Sequence, residues 1–316
     1  MKKKKKKILH LPVLLKESIK YLNIKKNGIY LDATFGSGGH SRKILQKLGK
    51  LGKLYAMDRD PESIKIAKKI KDKRFKIIYD KFSNIKKYLK KYQLKNNING
   101  ILIDLGISNL QLKNKNRGFS YQKNGFLDMR MDTTKGISAA KWIKKSNIKT
   151  ISKILKKYGE EKFSYKIALN IHRYKKKKDI LTTKKLYSII KKSVPSQKKN
   201  PARRSFQAIR ICINNEIKEL KKFLIFSKNL LSKNSRLLTI SFHSLEDRII
   251  KNFIFKNSKK NINIPNKLPL TAKQILKTQS LKNFKFYKKK FPSSDEITKN
   301  RQSRSAILRV SKFLKK

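Results

Sequence analysis

Gly28-Ile-Tyr-Leu-Asp-Ala-Thr-Phe-Gly-Ser-Gly-Gly-His40 is the stretch on which the fold turns. Ile29 to Ala33 is a short apolar, partly β-branched run, the pattern of a strand buried on both faces. It breaks into a turn carrying Gly36, Gly38 and Gly39, and the chain from Ser41 onward reads as a helix. Strand, glycine turn and helix together make the first unit of a doubly wound nucleotide-binding sheet. The glycines permit positive φ and leave no Cβ to hold a ligand away from the backbone. Because Gly-Ser-Gly-Gly-His does not spell G-x-G-x-x-G, the turn alone also fits an ordinary tight turn.

The next unit adds to the case. Lys53 to Asp58 reads as a second strand ending in an acid, twenty residues after Gly38. A carboxylate there is where such sheets grip the ribose of an adenosine-containing cofactor, the alternative being a helix cap. Pro61 suits a first helical turn, and Ile64, Ala67 and Ile70 keep helical spacing. Phe75 to Tyr79 and Gly100 to Asp104 predict a third and fourth strand, with Ile85 to Tyr92 helical between them. Phe82, just past a strand end, either covers an adenine ring or packs ordinarily. Four strand–helix alternations predict a parallel α/β sheet with its ligand at the carboxyl ends of the strands.

Backward from the first strand, Val13 to Leu22 reads as a lead-in helix. Forward from Leu105 the periodicity stops, and residues 105–132 read as a long loop of charges, aromatics and two methionines, a kind usually functional. Helical signals resume at Ser138–Ile143, Ile148–Tyr158, Ser164–Tyr174 and Thr183–Val194, with Thr182 or Thr183 as a cap. They predict an all-helical insertion, followed by one helix from Ala202 to Leu224. Ser235 to Ser241 is the fifth strand. Ser244 with Asp247 resembles a capping box for a helix over Arg248–Phe255. Residues 256–281 read as loop, and Phe284–Tyr287 with Ala306–Val310 as an antiparallel strand pair. The expected division is 1–112 for the first part of the sheet domain, 113–205 for the loop and helical insertion, and 206–316 for the rest of the sheet domain.

Composition bounds the function. In 316 residues, 84 Lys and Arg oppose 19 Asp and Glu, a formal charge of +65. That field draws polyanions, nucleic acid first, although an AT-biased genome also enriches Lys, Ile and Asn. Cys212 is the only cysteine, and histidines at 10, 40, 172 and 243 show no ligand spacing, so no disulfide framework and no metal are expected. The Lys2–Lys7 run before Ile8–Leu15 mimics a signal peptide. Its apolar part is short, holds His10 and Pro12, and meets Lys16-Glu17 in place of a cleavage site. With no apolar stretch long enough for a membrane, the expected location is cytoplasmic.

Taken together, His10-Leu-Pro-Val-Leu-Leu15, Asp32 to Ser41, Asp58-Arg-Asp-Pro61, Asp104 to Ser108, Arg117-Gly-Phe-Ser120, Leu127-Asp-Met-Arg-Met-Asp132, Ser205 to Arg210, Ile240 to Arg248 and Asn300 to Ala306 resemble one family. It is the RsmH (MraW) family, which methylates N4 of a cytidine in the decoding region of 16S ribosomal RNA, in the small subunit. The resemblance runs over about residues 8–312 and rests above all on Leu127–Asp132 and Ile240–Arg248. It implies a Rossmann-like class I S-adenosylmethionine-dependent methyltransferase sheet with an inserted all-helical domain. It implies S-adenosylmethionine as cofactor, with Gly38, Gly39, His40, Asp58, Phe82, Asp104 and Gln111 around it. Two segments depart from the family: Asn109-Leu-Gln-Leu-Lys113 follows Ser108 where Ser-Pro-Gln-Leu-Asp is usual, and Asn300-Arg-Gln302 replaces Asn-Pro-Arg.

A cytosine N4 amine is a poor nucleophile, because its lone pair is delocalised into the ring. The protein has to align nitrogen, methyl carbon and sulfur, and to accept an N4 hydrogen. No D/N/S-P-P-Y/F tetrapeptide occurs. Asp104, with the backbone of Leu105 and Gly106, stands where that motif would, and is the first candidate acceptor. His243 with Ser244 is the second, against a structural alternative in which Ser244 and Asp247 cap a helix and His243 packs. Arg117, Phe119, Arg130, Arg203 and Arg204 are candidates for RNA phosphates and bases, or else for surface ion pairs. Asp128 and Asp132 read as ordering the loop. Three other readings stand beside this one: a methyltransferase for another RNA or DNA base, a ribosome assembly factor without catalysis, and an NAD-dependent dehydrogenase, which lacks a downstream hydride-transfer module.

Overall fold

A computed structural model describes residues 12–195, 200, 202–258 and 283–315. By internal contacts the chain forms two compact units. The first comprises residues 1–58, 65–106 and 221–316, and the second residues 59–64 and 107–220. The second unit therefore takes in a short piece of chain directly after the second strand.

The first unit is built on a seven-stranded sheet. Its strands are β1 (Ile29–Asp32), β2 (Lys53–Asp58), β3 (Phe75–Tyr79), β4 (Ile98–Asp104), β5 (Leu231–Ser241), β6 (Phe284–Lys290) and β7 (Ile307–Phe313). They lie in the order β3-β2-β1-β4-β5-β7-β6. β1 to β5 are parallel, and β7 runs antiparallel between β5 and β6. This is the sheet that the resemblance implied. Strand order reverses between β1 and β4, so the crevice beyond their carboxyl ends is the place for a ligand. α1 (Leu15–Leu22) and α2 (Gly39–Lys47) flank the sheet, and Leu14, Leu22, Tyr30, Ile44, Leu54, Leu102, Leu238, Leu308 and Val310 form one buried cluster.

Three sequence expectations change here. The helix expected over 85–92 is a 3₁₀ stretch, Phe82–Tyr88, that passes into the single turn α4 (Leu89–Tyr92). β5 begins at Leu231, four residues before Ser235, because it is paired with β4 from Ile98. The helix after it, α12 (Ser244–Ser258), begins at Ser244 and not at Arg248. Asp247 is not a cap. Its carboxylate takes both Arg309 Nε (2.7 Å) and Nη2 (2.8 Å), tying the helix to β7. The expected loop over 256–281 lies mostly outside the described residues, as do the Lys2–Lys7 run and Ile8–Leu11.

The Asp247–Arg309 pair makes stability pH-dependent. Burial pushes the Asp247 carboxyl up, but the Arg309 guanidinium outweighs it and the net value lies below the ordinary carboxylate range. A depressed folded value contributes stability that is present above the unfolded pKa and lost as pH falls through the folded one. Arg309→Ala is expected to cost about 3 kcal/mol in neutral urea titrations and to flatten the acid limb.

The second unit is helical. α6 (Ala139–Lys145), α7 (Ile148–Gly159), α8 (Ser164–Lys177) and α9 (Thr183–Ser193) match the expected insertion within a few residues. Side chains of Ser138, Asn147 and Thr182 cap three of them by accepting backbone N–H groups. The expected single helix over 202–224 is two, α10 (Ala202–Asn214) and α11 (Glu216–Ser227), broken at Asn215 with φ +52°. Asparagine tolerates the left-handed region without glycine. α11 and α3 (Pro61–Ala67) each cross from one unit to the other.

The long loop is not free. Ser108 and Gln111 form a reciprocal capping box on α5 (Asn109–Lys113), inside the segment that departs from the family. Leu127 and Met129 are fully buried with Ile143, Ile151, Leu155 and Ile171, so part of the loop is core. Asn214 holds it from α10, accepting from Met131 N (2.8 Å) and donating to Met129 O (2.7 Å).

Candidate active site

Each parallel strand ends in or is followed by a carboxylate: Asp32 on β1, Asp58 on β2, Asp80 just beyond β3, Asp104 on β4, and Glu246 beyond β5. Two of them, with the Asp104 backbone, shape the glycine turn. Asp32, fully buried, accepts from Ser41 Oγ (2.6 Å) and Thr34 N (3.2 Å). Asp58 Oδ2 accepts from Gly36 N (2.7 Å), and Thr34 Oγ1 accepts from Asp104 N (2.7 Å). The turn is thus pinned to three neighbouring strand ends. Gly38 sits at φ +77°, and a Cβ there would lie 2.5 Å from the Phe35 ring; one on Gly39 would lie 2.1 Å from Pro12. These glycines are required by the chain's own packing, a reason the sequence did not suggest.

The electrostatics are unusual. Burial pushes the Asp32 carboxyl up to about 7, against its hydrogen bonds from Ser41 and Thr34, with the Asp58 charge adding to the rise. Asp104 is raised well above the ordinary range, by burial first and then by the Asp32 and Glu246 charges. Its Oδ1 is buried and meets no hydrogen-bond partner among the described residues. His40 Nδ1 lies 3.8 Å from Asp104 Oδ2. Burial holds His40 down at about 4, so it is neutral at pH 7, and its Nε2 is likewise unpartnered among the described residues. Crowded acids in a desolvated site favour protonation, or a cation.

Glu246 is a residue that sequence reasoning passed over, although it lies in the Ile240–Arg248 motif. It is 2% exposed. Its Oε2 accepts from Phe242 N (2.9 Å), and its Oε1 lies 3.1 Å from His243 Nε2. His243 Nδ1 meets Glu246 N at 3.4 Å, so both ring nitrogens face Glu246. His243 O accepts from Asp247 N at the start of α12. The capping role expected of Ser244 and Asp247 thus falls to His243. Phe82 packs edge-to-face on Phe223, with ring centroids 5.4 Å apart.

The remaining expected residues belong to the second unit. Arg117 is 5% exposed and pairs with buried Asp60, Nη1 to Oδ1 at 3.2 Å and Nη2 to Oδ2 at 3.0 Å. It also donates to the carbonyls of Arg130 and Met131. Gln111 Nε2 donates to Asp60 Oδ2 (2.7 Å), while its Oε1 accepts from Ser108 N. Phe119 is 6% exposed, within the helical core. Arg117 and Phe119 are therefore internal struts here and not surface RNA contacts, because a desolvated guanidinium needs its carboxylate and the ring its apolar neighbours. Arg130 is bidentate to Asp128, at 2.7 and 2.9 Å, so Asp128 does order the loop. Arg203 and Arg204 alone of the five are exposed. Among the described residues no three His, Cys, Asp or Glu cluster as metal ligands do, and no helix is long and apolar enough to cross a membrane.

A family model described as the MraW methylase family matches residues 7–314. A ribosomal RNA small subunit methyltransferase H of Buchnera aphidicola subsp. Cinara cedri (strain Cc) is 56% identical over 307 residues, covering 96% of this chain and 99% of that protein. The protein of the same name from Buchnera aphidicola subsp. Baizongia pistaciae (strain Bp) is 54% identical, with 96% of each chain covered. One from Wigglesworthia glossinidia brevipalpis is 52% identical, over 97% of this chain and 99% of its own.

Proposed function

The chain belongs to the MraW methylase family, and from that premise we propose that it methylates N4 of a cytidine in 16S ribosomal RNA, in the small subunit, with S-adenosylmethionine as donor. The relatives' shared name and near-complete mutual coverage support an RNA substrate in the small subunit. The surplus of basic residues agrees with a polyanionic partner and with a cytoplasmic location among ribosomes.

The donor fits the residues present. A cationic sulfonium suits a crevice where the Asp32 and Glu246 charges raise the affinity of Asp104 for positive charge. Asp104 Oδ1 and His40 Nε2, unpartnered among the described residues, are groups awaiting a ligand atom. Asp58, fixed through Gly36 N at the end of β2, is placed to receive ribose hydroxyls, and the start of α2 at Gly39 offers backbone donors. When bound, S-adenosylmethionine supplies a methyl group already activated on sulfur.

The protein's part is then to orient the amine and take its proton. Asp104 Oδ1 accepts one N4 hydrogen, which pushes electron density onto nitrogen as the N–C bond forms and the S–C bond breaks. The proton passes to the Asp104 carboxylate, whose raised pKa makes it a stronger base than an ordinary aspartate. His243, whose Nε2 lies 3.1 Å from Glu246 Oε1 at the neighbouring strand end, is the second candidate for holding the base or taking the proton. Arg203 and Arg204 supply phosphate contacts from the exposed first turn of α10. The observation that carries the reading is the unmet Asp104 oxygen beside the glycine turn, at the carboxyl ends of β1 and β4.

The test is transfer of labelled methyl to small subunits lacking the modification, followed by nucleoside analysis. N4-methylcytidine in 16S RNA is the expected product. Label on another base, or none, would refute the reading and leave a different substrate or a non-catalytic assembly factor.

A further inference from the structure

At the opposite end of the strands from the carboxylates lies a small pocket open to solvent. It opens beside the end of α1 and the beginnings of β1, β4 and β5, among side chains that include Lys25, Tyr30, Asn99, Lys233, Ser235 and Arg236. Among the described residues no carboxylate lines it. Ser235 is 3% exposed, yet its Oγ has no hydrogen-bond partner among the described residues. Arg236 Nε and Nη1 are buried and equally unmet.

The strand pairing explains why the Arg236 donors stay open. Between Phe286 and Lys288 the β6–β7 register slips, leaving Tyr287 as the extra residue at the sheet edge. Its ring stacks on Arg236, 4.1 Å from guanidinium carbon to centroid, and Tyr21 meets Tyr287 edge-on. Bulges commonly re-aim a side chain in this way. An aromatic face attracts a guanidinium but leaves its N–H donors without acceptors. The result is a fixed cation with donors to spare, and Lys25 and Lys233 exposed on the rim. That donor set calls for an oxyanion.

We propose that this pocket holds a backbone phosphate of the RNA substrate. Arg236 Nε and Nη1 donate to the phosphate oxygens, while Lys25 and Lys233 supply the surrounding field. From Arg236 to Ser241 is five residues of β5, about 17 Å at the usual rise per residue. The phosphate held here is therefore not that of the target nucleotide itself. The site anchors the substrate and takes no part in the reaction. It rests on the RNA reading given above.

The test uses the full chain, a fluorescein-labelled RNA of the small-subunit decoding region, and affinity measured across a salt series. Removing one neutralised phosphate lowers the slope of log affinity against log salt by roughly 0.7 to 0.9. Arg236→Gln is expected to lower it by about that amount, with calorimetric donor binding unchanged. A Lys25→Ala/Lys233→Ala variant, altered only at exposed positions, is expected to lower it as well even if Arg236→Gln fails to fold. Wild-type slopes in both variants, with the wild type binding RNA, overturn the proposal and leave the substrate reading intact. Inorganic phosphate serves as a second probe. If it raises the melting temperature of the wild type but not of the variants, while RNA slopes stay equal, the site takes a free anion and the RNA assignment fails. A wild type that neither binds nor methylates RNA overturns both readings.

Discussion

Asp104→Asn is expected to slow methyl transfer by about 10²- to 10⁴-fold, the usual range for a positioned proton acceptor. The amide keeps the side chain's shape but cannot take the N4 proton; it also removes a negative charge from the sulfonium's site, so donor affinity falls as well and the chemical loss is read at saturating donor. The pH profile gives a second readout. Asp104 works deprotonated, and burial together with the Asp32 and Glu246 charges raises its pKa well above the ordinary range. Wild-type kcat/KM, which reports the free enzyme, should therefore rise with pH through a limb placed above normal carboxylate titration, and the variant should lack that limb. Single-turnover rates across pH, with cofactor affinity measured by calorimetry, decide the matter. A variant within threefold of wild type would remove Asp104 from the chemistry.

Asp60→Ala is expected to cost about 3 to 5 kcal/mol, because it strands a buried guanidinium. In the intact protein Arg117 spends two nitrogens on Asp60, and its nearest other carboxylate oxygen, on Glu62, is 3.5 Å away. Gln111 loses its acceptor in the same stroke. Urea unfolding should show the loss, and Asp60→Leu combined with Arg117→Met should recover much of it, since neither charge then remains to be desolvated. If the single change costs less than 1 kcal/mol, the network is not what holds this part of the second unit.

The strand ends and insertion helices were legible because each carries local information. Asp32, Asp58 and Asp104 stop apolar runs, and Thr182 announces a helix by chemistry that acts within three residues. Asn215 was hidden because a left-handed asparagine leaves the apolar spacing on either side of it unbroken. The core role of Leu127 and Met129 was hidden because irregular backbone held by Asn214 has no period. Glu246 and Asp60 were missed for another reason. Asp60 takes its meaning from Arg117 and Gln111, fifty and more residues away, and Glu246 from a side chain that turns back onto Phe242 N and His243 instead of out to solvent. Ser108 and Gln111 did carry a readable capping pattern, which attention to the family's usual residues there obscured.

β6 closes the sheet on one side, and among the described residues its outer backbone groups have no neighbouring strand. Phe286, Tyr287 and the adjacent Phe291 are exposed there, a combination that invites a second copy to add its own strand. Lys285, Lys288 and Lys289 stand among them, exposed. Two such borders brought together would set ammonium against ammonium along their whole length, so like-charge repulsion keeps the molecules from zipping into a continuous ribbon.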